Sequence, residues 1–257
     1  MAKIDASTRI AAHSLGKTAA CAKRRFRFDV PGGAIRGNMK RNLPGSTMNT
    51  EIATALRVIH AMGPDGFPQD SAWELAPSIH FNADWQGRNA DPLRETEVRL
   101  LWTPELLFLK FLARFREITV FADAEPSGRR GHLWDRDVAE VFLQPDSSDP
   151  LRYKEFEVSP NGMWIDLDLS HGQRRDLQSG LRRRVALDEE THTWIAELAL
   201  PIKSITPRFD PYVTWRVNFF RVEGAAEPRF YSAWKPTLTP EPNFHVPAAF
   251  GNLIFSE

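Results

Sequence analysis

From Glu51 onward the chain is written in apolar segments of five to nine residues, rich in Val, Ile, Phe, Trp and Leu and divided by clusters of Pro, Gly, Asn and Asp. Short strands bounded by turn residues produce that rhythm, and it predicts a sandwich or barrel. Glu97–Trp102 alternates and breaks at Thr103-Pro104-Glu105. Leu106–Phe115 is long enough for a helix, but its aromatic content and the turn signals beside it predict a central strand. Further strands are predicted at Val138–Leu143, Tyr153–Val158, Met163–Leu169, Arg182–Leu187, His192–Leu200 and Thr214–Val222. Ser159-Pro160-Asn161-Gly162 reads as a hairpin turn. In Met163–Leu169 the odd positions are apolar and the even ones, Trp164 apart, are acidic, as in a half-buried antiparallel strand with its acids in solvent. Pro201–Ile205 has room for one helical turn, and no internal repeat or long capped helix is visible. The predicted architecture is a single all-β domain over residues 51–257, a β-sandwich of jelly-roll, immunoglobulin-like two-sheet type.

Composition supports a sizeable core, with eight Trp and seventeen Phe in 257 residues. No apolar run reaches the roughly 18–20 residues of a membrane span; Leu106–Leu109 is followed at once by Lys110, Arg114 and Arg116, which predicts a soluble chain with no membrane partner. The net charge of zero hides an asymmetry. Residues 1–47 carry ten Lys/Arg against two acids, +8, which leaves −8 for the rest. That segment lacks hydrophobic periodicity and ends in Leu43-Pro44-Gly45-Ser46-Thr47, so it is read as a disordered basic extension, with Met48 a candidate translation start. It lacks the continuous apolar core of a secretory signal, which leaves the compartment open and export compatible with a different start. The single cysteine, Cys21, precludes an intrachain disulfide.

The densest chemistry lies in Leu133-Trp134-Asp135-Arg136-Asp137-Val138-Ala139-Glu140-Val141-Phe142-Leu143. An indole face beside carboxylate acceptors suits a sugar, which presents flat C–H surface and a rim of hydroxyls. Strand parity puts Ala139, Val141 and Leu143 on a core face and Glu140 on the other. Six residues of strand span about 20 Å, so Trp134 can meet the same ligand as Glu140 only from a loop that folds back. The same acids, with Glu155 and Glu157, could supply the paired carboxylates of a glycosidase, and Asp135 with Asp137 could ligate calcium. Toward the C-terminus, Trp234 and Phe244 sit in a Pro-rich run that precludes a regular helix and can hold an aromatic platform, whereas Phe250 reads as a core plug. The histidines show no zinc-ligand spacing, and Arg182-Arg183-Arg184 reads as a solvated strand entry rather than a nucleic-acid patch.

Several of these motifs, in order, resemble the family 9 carbohydrate-binding modules and the wider DOMON-like group over about residues 58–257. They are Asp65-Gly66 with Ser71-Ala72-Trp73, Thr96–Trp102, the Trp134–Phe142 segment, Phe156-Glu157-Val158 with Pro160-Asn161-Gly162, Ala196–Pro201, Trp215–Asn218, and Ser232–Leu253. The resemblance implies a non-catalytic module that holds a mono- or oligosaccharide, or a polysaccharide end, between two aromatic side chains, alone or beside a carbohydrate-active enzyme. It puts the aromatic walls at Trp134 and Phe244, the acidic partner at Glu140 and the amide at Asn218. Phe244 replaces the Trp of sugar-clamping members, and Glu157 stands where they carry a basic residue. The resemblance further implies structural calcium, with no ligands assigned. Two alternatives remain at this point: a glycoside-active enzyme using Glu140 with Glu155 or Glu157, and a haem-binding domain ligating iron through Met163 and His245.

Overall fold

The structure is a computed structural model that describes residues 52–257 apart from Pro126. In chain order the strands are β1 (Ile52–Arg57), β2 (Ser78–Phe81), β3 (Thr96–Trp102), β4 (Leu106–Arg114), β5 (Val138–Gln144), β6 (Arg152–Val158), β7 (Trp164–Ser170), β8 (Gln173–Asp176), β9 (Arg182–Asp188), β10 (Thr193–Pro201), β11 (Trp215–Glu223), β12 (Phe230–Ala233) and β13 (Gly251–Ser256). Two short α-helices, α1 (Asp70–Leu75) and α2 (Ile202–Ile205), and three single 3-10 turns, Pro92–Arg94, Leu133–Asp135 and Pro247–Ala249, complete the regular elements among the described residues, α2 at the predicted helical turn. The basic extension, Cys21 and Met48 lie outside the described residues.

Among the described residues all thirteen strands belong to one curled sheet. One half runs β8-β7-β6-β5-β11 in antiparallel order; the other runs β3-β4-β10-β9. They are joined by β13, antiparallel to β11 and parallel to β1, and by β1, parallel to β3. The two predicted sheets are therefore two layers of a single hydrogen-bonded ladder. Val141 of β5, Phe156 of β6 and Phe219 of β11 share a core with Leu100 of β3, Phe111 of β4 and Leu198 of β10. Phe111 meets Phe219 across the layers at 6.3 Å. Leu106–Arg114 is central, flanked by β3 and β10. Gly162 closes the β6–β7 hairpin with φ +82° and its N–H on Ser159 O at 2.8 Å.

Two surface expectations are corrected. Asp166 does not point into water: residues 177–181 cover it, and its Oδ2 accepts from the Ser179 N–H and hydroxyl at 2.7 and 2.5 Å. Arg182–Arg184 are structural ties rather than a solvated entry. Arg182 donates to Asp65 O and Gly66 O, Arg183 to Gly162 O and Ser127 O, and Arg184 to Asp65 and Glu197. Among the described residues no helix is long and apolar enough to cross a membrane.

Candidate functional site

The sandwich core occupies one face of β5, β6 and β11, and a second apolar cluster covers the other. Val138 and Phe142 of β5, Tyr153 of β6, Phe220 and Val222 of β11, Phe244 and Phe250 form it. A cleft of ≈ 260 Å³ opens on this face. Glu140, Glu155 and Val222 contribute from the sheet, Trp134 from the loop before β5, Arg174 from β8, Arg229 and Tyr231 from the start of β12, and Pro242–His245 from the C-terminal loop.

The parity reading of β5 holds, with Ala139, Val141 and Leu143 in the core and Glu140 turned to the cleft. Trp134 meets the returning-loop condition. His132 takes a left-handed φ of +56° and opens a single 3-10 turn over Leu133–Asp135. Leu133 anchors that turn in the apolar cluster, and Arg229 Nη1 donates to Trp134 O at 2.7 Å. Asp137 fixes the other end. Its Oδ2 accepts the Thr119 N–H at 3.1 Å and its Oδ1 the Gly224 N–H at 2.7 Å, so both oxygens are spent on backbone. Asp135 is exposed and does not line the cleft. The expected Asp135/Asp137 cation pair is thus replaced by a loop clamp.

Burial pushes the Asp137 carboxyl up from 3.8 to about 6, with Glu223 adding repulsion while the two N–H groups and Arg221 pull the other way. A raised folded-state pKa means stability is greatest below the unfolded value near 3.8 and is lost as pH rises through about 6. Asp137→Asn cannot titrate. The stability advantage of the wild type over this variant should therefore shrink by about 2–3 kcal/mol between pH 4 and 7. Paired urea titrations across that range check this, and a constant difference would refute it.

The other candidates divide. Phe244 lines the cleft at 9% exposure, one face stacked on Phe220 (4.2 Å, 13°) and its edge toward Tyr231 (6.1 Å). Asn218 lies on the cleft side of β11, opposite Phe142, but its amide is engaged: Nδ2 donates to Lys235 O at 2.8 Å and Oδ1 accepts from the N–H of Lys235 and of Phe219. Trp234, 1% exposed, is in the sandwich core against Phe219. A Cβ on Gly251 would come within 2.7 Å of its ring, so only glycine lets β13 pass there. Glu157 is fully enclosed, directly across the ladder from Glu140. The structure therefore brings Trp134, Glu140 and Phe244 to the cleft, sets Glu157 beside Glu140, and leaves Asn218 and Trp234 in supporting positions.

Burial first, then repulsion from neighbouring glutamates, pushes the Glu140 and Glu157 carboxyls well above the ordinary range. Arg174 lies over the Trp134 ring at 4.6 Å and donates to His245 Nε2 at 3.3 Å. An arginine can only donate, so Nε2 is the acceptor and Nδ1 carries the proton toward Tyr153 Oη, 3.0 Å away. Burial lowers the His245 pKa, in keeping with a neutral ring. Both nitrogens are engaged, which leaves neither free for the iron of the haem alternative.

Arg174, Arg229 and Tyr231 escaped the sequence reading. Arg174 is on β8, polar throughout and without periodicity, and Arg229 and Tyr231 arrive on a return of the chain that no local pattern marks.

The layered sandwich that carries this polar, aromatic-lined cleft recurs in known structures. A Bacteroides uniformis protein assigned to carbohydrate binding superposes with a TM-score of 0.63 at 18% identity, over 80% of this chain and 99% of that one. A family 9 carbohydrate-binding module from Caldicellulosiruptor kristjanssonii superposes at 0.56 in its cellotriose complex (13% identity, 80% and 93% covered) and 0.54 in its glucose complex (12%, 80% and 95%). The chain has the fold of the family 9 carbohydrate-binding modules. No family model matches the sequence. A curated relative from Arthroderma benhamiae, named "Extracellular protein", is 24% identical over 193 residues, 68% of this chain and 85% of its own length.

Proposed function

We propose that the protein binds carbohydrate without cleaving it, taking a mono- or disaccharide end into the cleft between β5, β6 and the C-terminal loop. The convergence of Trp134, Glu140 and Phe244, the last more than a hundred residues from the others, on one cleft carries this reading. Trp134 offers the apolar platform for a sugar's C–H face, and Phe244, backed by Phe220, offers a smaller opposing wall. Glu140 and Glu155 accept from hydroxyls while Arg174 and Arg229 donate to them. At ≈ 260 Å³ the cleft falls below the roughly 300–1,000 Å³ of drug-sized sites, which favours a chain end over an extended glycan.

Two aromatic faces burying part of their 150–250 Å² each, at about 25 cal/mol per Å², supply a few kcal/mol. Hydrogen bonds add about 0.5–1.5 kcal/mol apiece. After the cost of association, affinities from micromolar to millimolar follow. The name of the Arthroderma relative supports export, and tethering to a carbohydrate-active system fits a binding module.

Titration of the full chain with a glycan panel that includes glucose and cellotriose should change tryptophan fluorescence with such an affinity for at least one member, and no reducing ends should appear over hours. Silence across the panel would remove the proposal; steady release of reducing ends would replace it with an enzyme.

A further inference from the structure

Glu140, Glu155 and Glu157 form an arrangement that a neutral sugar leaves unresolved. The β5–β6 register sets Glu140 directly opposite Glu157, and Glu155 lies two residues away on the same face of β6. Like charges in that position oppose pairing. Exposures are 2%, 2% and 0%, and one carboxylate oxygen from each residue lies within 4.8 Å of the others. No donor from outside the cluster, among the described residues, reaches either oxygen of Glu157, Oε1 of Glu140 or Oε2 of Glu155, all four buried; Glu155 and Glu157 have only each other within hydrogen-bonding reach. Arg174 and Arg229, the cations that face the cluster, direct their bonds elsewhere: Arg174 to His245, Arg229 to Glu227 and Trp134 O. Unpartnered buried carboxylates are costly, so the four orphaned oxygens define a place for a positive ligand.

We propose that Glu140, Glu155 and Glu157 bind one divalent cation, calcium, beneath the floor of the cleft. Three carboxylates and no nitrogen or sulfur donor select a hard cation. Ca²⁺ accepts several carboxylate oxygens at about 2.3–2.6 Å in flexible geometry, and one oxygen from each of the three glutamates lies within 4.8 Å of the others. Mg²⁺ dehydrates reluctantly and is usually held by one or two carboxylates with several waters, so a buried set of three favours calcium. Glu140 and Glu155 also line the cleft, so the remaining coordination positions open toward it and toward water. The cation neutralises the facing acids of β5 and β6 and fixes the floor on which Trp134 and Phe244 stand.

Calorimetric titration of the chelator-stripped full chain, with no sugar present, tests the ion independently of glycan binding. One calcium per chain is expected, at least about tenfold tighter than magnesium. Thermal unfolding should rise by about 5–10 °C at a hundredfold excess over Kd. Glu155→Gln and Glu157→Gln should each lower calcium affinity at least about tenfold. Their cation-free forms should unfold no lower than the cation-free wild type, because each removes a buried unpartnered carboxylate. A wild type with neither heat nor thermal shift up to about 10 mM calcium, far above the range of ordinary calcium sites, would overturn the assignment. So would two folded glutamine variants that bind calcium as tightly as the wild type.

Discussion

Glu223→Ala is expected to cost about 3–5 kcal/mol of folding stability. The reason lies at the rim of the sandwich, where Arg221 points between the layers from the core face of β11, 1% exposed, its guanidinium 5.8 Å from the Trp194 ring. Arg221 Nη1 donates to Arg114 O at the end of β4, and Nη2 donates to Glu223 Oε2 at 2.8 Å. The other oxygen of Glu223 accepts from Arg94 Nε at 2.9 Å and the Arg116 N–H at 3.1 Å. One carboxylate thus holds a buried cation, a second arginine and a backbone donor from three segments. Burial already lowers the Arg221 pKa, and Glu223 is the foremost group opposing that shift. Removing it strands the guanidinium. The control is Glu257, whose exposed bond to Arg57 (2.6 Å) should contribute no more than about 0.5 kcal/mol. Arg221→Met with Glu223→Leu should recover much of the loss, because the cost lies in the unpaired charge rather than in the missing attraction. Urea midpoints at unchanged m-value decide it; a loss below about 1 kcal/mol for Glu223→Ala would show that water reaches Arg221.

Where hydrophobic period alone fixes an element, the sequence was enough. Val138–Leu143 had to turn Ala139, Val141 and Leu143 inward, and it does. Pro160-Asn161-Gly162 could hardly be other than a turn, and it closes β6 on β7. Pairings between distant segments were not legible. β1 is parallel to both β13 and β3, and nothing in Ile52–Arg57 names a partner some two hundred residues away. The candidate site divides the same way. Trp134 and Glu140 were readable because one strand and its entry loop carry both. Trp234 and Phe244 share a Pro-rich run, and aromatic character alone cannot distinguish platform from core. The discriminating signal was Gly251, whose missing side chain makes room for the Trp234 ring. Asp137 looked like ligand chemistry because a carboxylate beside an indole suits both a sugar and a loop clamp; only the positions of the Thr119 and Gly224 N–H groups separate the two.

Those two tryptophans should fail in opposite ways. Trp134→Ala is expected to weaken glycan binding by about thirtyfold or more, as truncation of a central aromatic anchor commonly costs about 2 kcal/mol or above, while leaving the fold intact. Trp134 is only half-buried, and its turn is held by Leu133, by the bond from Arg229 to its carbonyl and by the Asp137 clamp, none of which needs the indole. Trp234→Ala should instead cost about 3–5 kcal/mol of stability, since it empties a core site against Phe219 and under Gly251. Binding by its surviving folded fraction should be little changed, because Trp234 does not line the cleft. Denaturation and sugar titration of both variants separate platform from plug. Arg174 sharpens the expectation, because it lies over the Trp134 ring in the free protein and a sugar using that face must displace it. Arg174→Ala should then spare the apolar part of binding and lose only a donor, about 0.5–1.5 kcal/mol. Wild-type affinity in Trp134→Ala would mean that the cleft, if it binds sugar at all, does so through its polar groups alone.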